Sequence, residues 1–117
     1  MVTDNSVGYS DIELITAEWL TKRNILFEFQ VSMLGGRFSL GGAVIDFLFP
    51  DRYLAWRLQG DYFHTGVEKE GSDAIQRALL ESMGYQVVDL WGSDILDPDI
   101  RDDVLEKALQ GEETLRS

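Results

Sequence analysis

Four side chains stand where chemistry could be done: Asp46, Arg57, Gln59 and His64, all within residues 41–64, GGAVIDFLFPDRYLAWRLQGDYFH. The stretch reads as two short apolar runs, 43–49 and 53–59, separated by Pro50-Asp51-Arg52. Both are rich in β-branched and aromatic residues, which predicts a pair of adjacent buried strands. Alternation along a strand puts Asp46 on one face with Val44 and Leu48. It puts Arg57 and Gln59 with Tyr53 and Ala55, opposite Leu54, Trp56 and Leu58. A carboxylate centred in an apolar strand is costly unless it finds a counter-charge, hydrogen bonds or a metal. Asp46 therefore needs a partner.

The elements that must position these residues follow from the rest of the chain. Ser10 with Glu13 has the spacing of a capping box, and Ile12, Ile15, Trp19 and Leu20 give a helical stripe over 11–23 that Asn24 closes. Phe27 to Val31 alternates as a half-buried strand. The glycine-rich run 35–42 lacks the Gly-Lys-Ser/Thr ending of a phosphate-binding loop and reads as a hairpin or wide turn. Ser72 is an N-cap candidate for a helix whose stripe is Ala74, Ile75, Ala78, Leu79 and Met83, ending at Gly84. A third buried strand over 85–90 and a helix over 99–110 complete the order α-β-β-β-α-β-α, a mixed sheet with helices packed on it. Trp19, Trp56 and Trp91 are predicted core with Phe47 and Phe49. Asp73 and Arg77 have the i, i+4 spacing of a local ion pair.

At 117 residues the chain is expected to be one domain, with a core over about 10–110 and tails at 1–9 and 112–117. It has no cysteine, which excludes disulfides, thiolate catalysis and Cys-ligated metal, and its one histidine cannot build a multi-histidine zinc site. No apolar run approaches the ~18 residues of a membrane span, so no membrane association and a cytoplasmic setting are expected. The net charge is −11, with eight acids against three bases in 94–117 and thirteen against seven in 1–93. Long-range attraction to a polyanion is not expected from this balance. Local phosphate contacts would fall to Arg37 in the glycine run and to Lys22 and Arg23, although the last two also suit a helix C-terminus.

Residues 42–47 (GAVIDF), 58–64 (LQGDYFH), Ser72-Asp73 with Arg77, and 84–88 (GYQVV) followed by Trp91 and Asp94 together resemble the PD-(D/E)XK nuclease superfamily, in particular its very-short-patch-repair-like (Vsr-like) and homing-type endonuclease branch. The resemblance covers roughly residues 10–96 and implies a restriction-endonuclease-like α/β fold, a mixed central sheet flanked by helices. It implies that Asp46 is the strand aspartate that holds magnesium, that Gln59 occupies the lysine/glutamine position that places the attacking water, and that His64 acts near the metal or as a proton donor. Glu13 or Glu18 would match the family's helical acid. The family's second metal-binding glutamate falls on Arg57, which stays protonated and cannot ligate a cation.

Two readings follow from that departure. In one, the Arg57 guanidinium pairs with Asp46 across the strands and takes the place of the metal. The chain is then a non-catalytic descendant serving as a binding or assembly module, with a protein partner or a second copy of itself, in a mobile-element or phage context and, if of phage origin, associated with the virion. In the other, Mg²⁺ is held by Asp46, a backbone carbonyl and Glu13, Glu18 or Glu28. Arg57 then points at the scissile phosphate, and the chain is a magnesium-dependent DNA endonuclease that hydrolyses phosphodiester bonds.

Overall fold

The computed structural model describes residues 11–33, 43–59 and 67–113, with the side chains of 11–31, 45–59 and 74–113. Helix α1 (Asp11–Lys22) is followed by strands β1 (Glu28–Met33), β2 (Ala43–Phe49) and β3 (Leu54–Gln59). Helix α2 (Val67–Ser82), strand β4 (Gln86–Trp91), a short α3 (Gly92–Leu96) and α4 (Arg101–Leu109) complete the order. The sheet order is β1-β2-β3-β4, antiparallel across the first three strands and parallel between β3 and β4. Antiparallel neighbours need short links, whereas the parallel pair needs a crossover, which α2 supplies. The expected mixed sheet flanked by helices is what forms.

One side of the sheet carries the larger core. Phe47, Phe49, Leu54, Trp56, Val88 and Leu90 pack there against Trp19 and Leu20 of α1, Ile95 of α3, and Val104, Leu105 and Ala108 of α4. The Trp56 indole donates to the Ala108 carbonyl at 3.0 Å, so its one polar group is satisfied where it is fully buried. The other side is smaller: Ile45, Leu48, Ala55 and Val87 with Leu80 of α2. α1, α2 and α4 end alike, on Asn24, Gly84 and Gly111 at positive φ, with the following amide reaching back to the helix carbonyl five residues earlier.

α2 departs from expectation twice. It begins at Val67, ahead of Ser72. Its apolar stripe also faces outward: Ala74, Ile75, Ala78, Leu79 and Met83 are exposed, and Leu80 is the residue that is fully buried. The inward face is given over to Arg77, whose guanidinium bonds the β4 backbone at the Val87 carbonyl (2.8 Å) and the Asp89 carboxylate (3.0 Å). Ion pairing, rather than apolar area, orients this helix. The helix expected over 99–110 forms as α4, and α3, which follows β4 without a break, is an additional short helix ahead of it. Trp91 is half-buried, unlike Trp19 and Trp56.

Candidate functional site

Strict alternation along β2 fails at one point, and that point is Asp46. Phe47 belongs to the α1 side of the sheet, yet Ile45, two residues earlier, belongs to the α2 side. The neighbouring strand does the same: Phe29 packs on the α1 side and Val31 on the α2 side. Between them Gln30 has φ +52°, a left-handed conformation in a non-glycine residue, and the register of β1 and β2 sets it opposite Asp46. Both strands thus change phase together. The consequence is that Asp46 leaves the face it would share with Val44 and Leu48 and meets Glu13 of α1 instead.

The Asp46 carboxylate accepts a hydrogen bond from the Leu58 backbone N–H at 2.7 Å, and its carboxyl is also hydrogen-bonded to that of Glu13. Burial pushes the Asp46 pKa up, the Leu58 amide pulls it down, and the charge and hydrogen bond of Glu13 push it up again. The field of Arg57 adds a smaller lowering, and the result stands at about 7 against an ordinary 3.8. Beside a second carboxyl in a partly buried place, Asp46 holds its proton more tightly than an exposed aspartate does. The donor set is all oxygen and carries two negative charges once that proton leaves. It is the kind of pair that suits a hard divalent cation, which would take the proton's place.

Arg57 and Gln59 are elsewhere. Alternation along β3 sends Leu54, Trp56 and Leu58 to the α1 side and Ala55 to the α2 side. Arg57 and Gln59 follow Ala55, and both are buried against Asp89 of β4. The bidentate partner of the Arg57 guanidinium is therefore Asp89 rather than Asp46, with Nε–Oδ1 2.7 Å and Nη2–Oδ2 3.0 Å. Gln59 Nε2 donates to the same Oδ1 at 3.1 Å. Arg77 completes the network on Asp89 and pairs with Glu113 at 2.7 Å and Glu81 at 3.2 Å. Burial works to raise the Asp89 pKa, yet the hydrogen bonds and charges of Arg57, Gln59 and Arg77 outweigh it and hold the carboxyl below its usual value. Arg77 is itself held above its usual value: burial works against its charge, and Glu113, Asp89 and Glu81 prevail.

Of the residues singled out in the sequence, the structure brings together Asp46 and Glu13 and separates Arg57 and Gln59 from them. Glu18 lies five positions beyond Glu13, about 140° around the helix, and is exposed, as is Glu28. Lys22 is exposed at the end of α1. Arg23 does a structural job there: it donates to the Trp19 carbonyl at 3.3 Å, lies 3.8 Å over the Trp19 ring and pairs with Asp102 at 3.5 Å. His64 and Arg37 lie outside the described residues, as does the Asp73 side chain expected to pair with Arg77. Asp89 was not singled out by sequence. Its signal is a lone acid in an apolar strand, matched by a lone base in another, but their parallel register is not written in either strand. Among the described residues no group of three or more His, Asp or Glu side chains is arranged to hold a metal ion, so the site as described is a carboxyl pair.

No family model matches the chain, and no curated protein does. Among solved structures the fold is similar to that of the catalytic domain of the homing endonuclease I-Bth0305I, with a TM-score of 0.64 and 17% identity over 88% of this chain and 98% of that domain. The α/β fold described above is thus one that a homing endonuclease uses for its catalytic domain.

Proposed function

We propose that this chain is a single-domain, metal-dependent DNA endonuclease in which Asp46 and Glu13 hold a Mg²⁺ ion. The observation that carries this reading is the hydrogen-bonded Asp46–Glu13 carboxyl pair, set between α1 and β2 on a nuclease-type fold. When bound, the cation would acidify a coordinated water and stabilise the charge that builds on the phosphate during hydrolysis. The protein's part is to aim the pair. The Leu58 amide fixes one Asp46 oxygen, and the first turn of α1 delivers Glu13 to the other side of the same site. Loss of the Asp46 proton near pH 7 readies that carboxylate for a cation, so cleavage should rise through that range.

Two points favour a second reading, a binding or assembly module without catalysis: Arg57 in place of a strand glutamate, and the net charge of −11. Its partner would be a protein or a second copy of this chain. Among the described residues no helix is long and apolar enough to cross a membrane. A cytoplasmic or phage-associated setting fits either reading. The test is cleavage of supercoiled plasmid DNA by the wild type, Asp46→Asn and Glu13→Gln in Mg²⁺ or Mn²⁺. The endonuclease reading expects nicking or linearisation that each substitution lowers by at least about 100-fold. Absence of cleavage across metals and DNA substrates would leave the binding-module reading standing.

A further inference from the structure

Among the described residues β4 is an end strand of the sheet, and its outer edge carries backbone groups that β3 does not use. The Gln86 amide donates toward β3, to the Tyr53 carbonyl at 2.8 Å. Alternation along a parallel strand then turns the peptide groups of Val87 and Asp89 outward. Side chains meet them there. Arg77 Nη2 donates to the Val87 carbonyl at 2.8 Å, and Glu113 Oε2 accepts from the Asp89 amide at 3.1 Å. The two side chains are themselves paired at 2.7 Å through Arg77 Nη1. A parallel strand laid along this edge would set one residue's N–H on the Val87 carbonyl and the same residue's C=O on the Asp89 amide. The ion pair stands in for that residue, with the guanidinium as its donor and the carboxylate as its acceptor. The chain is led there after α4: Gly111 turns at φ +85°, the Gln86 side chain donates to its carbonyl at 3.2 Å, and Glu113 follows over the edge.

We propose that the β4 edge is a strand-docking surface that the chain holds closed with Arg77 and Glu113, and that the partner it fits once open is the same edge of a second copy. Facing residues in an antiparallel pair exchange two hydrogen bonds. With a twofold axis at Val88, Val87 of each copy faces Asp89 of the other. The carbonyl and amide that the ion pair covers then become each other's partners, so the edge is self-complementary, as a twofold contact requires. Val87, Val88 and Trp91 are residue types that favour strands, and an uncovered edge of that kind is a template for pairing. This inference does not depend on the metal-site reading.

The experiment follows amide hydrogen exchange by NMR, with sedimentation velocity, for the wild type, Glu113→Ala and Arg77→Ala/Glu113→Ala. Each is measured dilute and at ~1 mM, enough to populate a weak contact. Salt of about 0.5 M screens the repulsion between two copies that carry −11 each. Glu113 packs in neither core, so its removal should leave the fold intact. In the wild type, exchange at Asp89 is expected to be slow and independent of concentration. In dilute Glu113→Ala the Asp89 amide should exchange at least about tenfold faster. On concentration that variant should dimerise and regain protection at Asp89, and the double variant should do so at lower concentration. Unchanged Asp89 exchange in dilute Glu113→Ala, or wild-type protection that rises with concentration, overturns the closure. Variants that stay monomeric at the higher concentration, or dimers whose Asp89 amide stays unprotected, overturn the docking surface. If the double variant does not fold, Glu113→Ala decides alone by the same readings.

Discussion

Burial opposes the charge of Asp46, the Leu58 amide favours it, and a second carboxyl, Glu13, adds to the effect of burial, which prevails. The sign of the pH dependence follows. The folded protein holds a proton on Asp46 up to about pH 7, whereas the unfolded chain releases it near 3.8. Between those values the folded state binds more protons, so stability falls as pH rises from about 4 to 7 and is level above. In EDTA, Tm should decline across that window by the equivalent of a few kcal/mol, less whatever other groups contribute. Asp46→Asn should flatten the decline, and added Mg²⁺ should reverse it at pH 8. Scanning calorimetry across the window checks all three; a wild-type Tm that rises from pH 5 to 7 in EDTA would contradict the pairing. Asp46 was legible as a residue in need of a partner. Which partner it takes was not, because the phase change at Gln30 and Asp46 turns the aspartate to the opposite side from the one alternation assigns.

The elements themselves were mostly legible, and the exceptions share a cause. β1, β2, β3 and β4 fall close to their apolar runs, and the exits of α1 and α2 fall on Asn24 and Gly84 as their backbone preferences require. α2 was misread because periodicity reports which residues are apolar, not which are buried. Arg77 must reach Asp89 and the Val87 carbonyl, and that turns Ile75, Leu79 and Met83 outward. Two neighbouring leucines test the orientation. Leu80→Ala should cost about 2–5 kcal/mol in chemical denaturation, as a fully buried leucine does. Leu79→Ala, 39% exposed, should stay within about 1 kcal/mol. Equal losses, or a larger loss at Leu79, would mean that the sequence stripe faces the core after all.

At the scale of the whole molecule, charge and fold pull in different directions. The proposed endonuclease function calls for contact with a phosphate backbone, yet the chain carries −11 and several of the described bases are paired: Arg57 and Arg77 with Asp89, Arg23 with Asp102, Lys107 with Asp103. Among the described residues, these pairs reduce what counterion release, which supplies most non-specific DNA affinity, can draw on. Binding of a labelled duplex in EDTA near physiological salt, followed by fluorescence anisotropy, should therefore be weaker than about 10⁻⁵ M and should strengthen with Ca²⁺, a hard cation that takes oxygen ligands. Tight binding in EDTA would contradict this picture. The charge imbalance was plain from sequence. The pairing between distant residues, such as Arg23 with Asp102, was not, because neither residue names its partner in the sequence.

The most direct test of the central claim is a Mn²⁺ titration near pH 6.5 in two buffers of different ionisation enthalpy, on the wild type, Asp46→Asn and Glu13→Gln. If the Asp46–Glu13 pair is a cation site in which Asp46 holds a proton, wild-type binding releases a sizeable fraction of one proton, up to about one, and either substitution abolishes or greatly weakens binding. No binding at millimolar Mn²⁺, or binding that survives both substitutions, would contradict it.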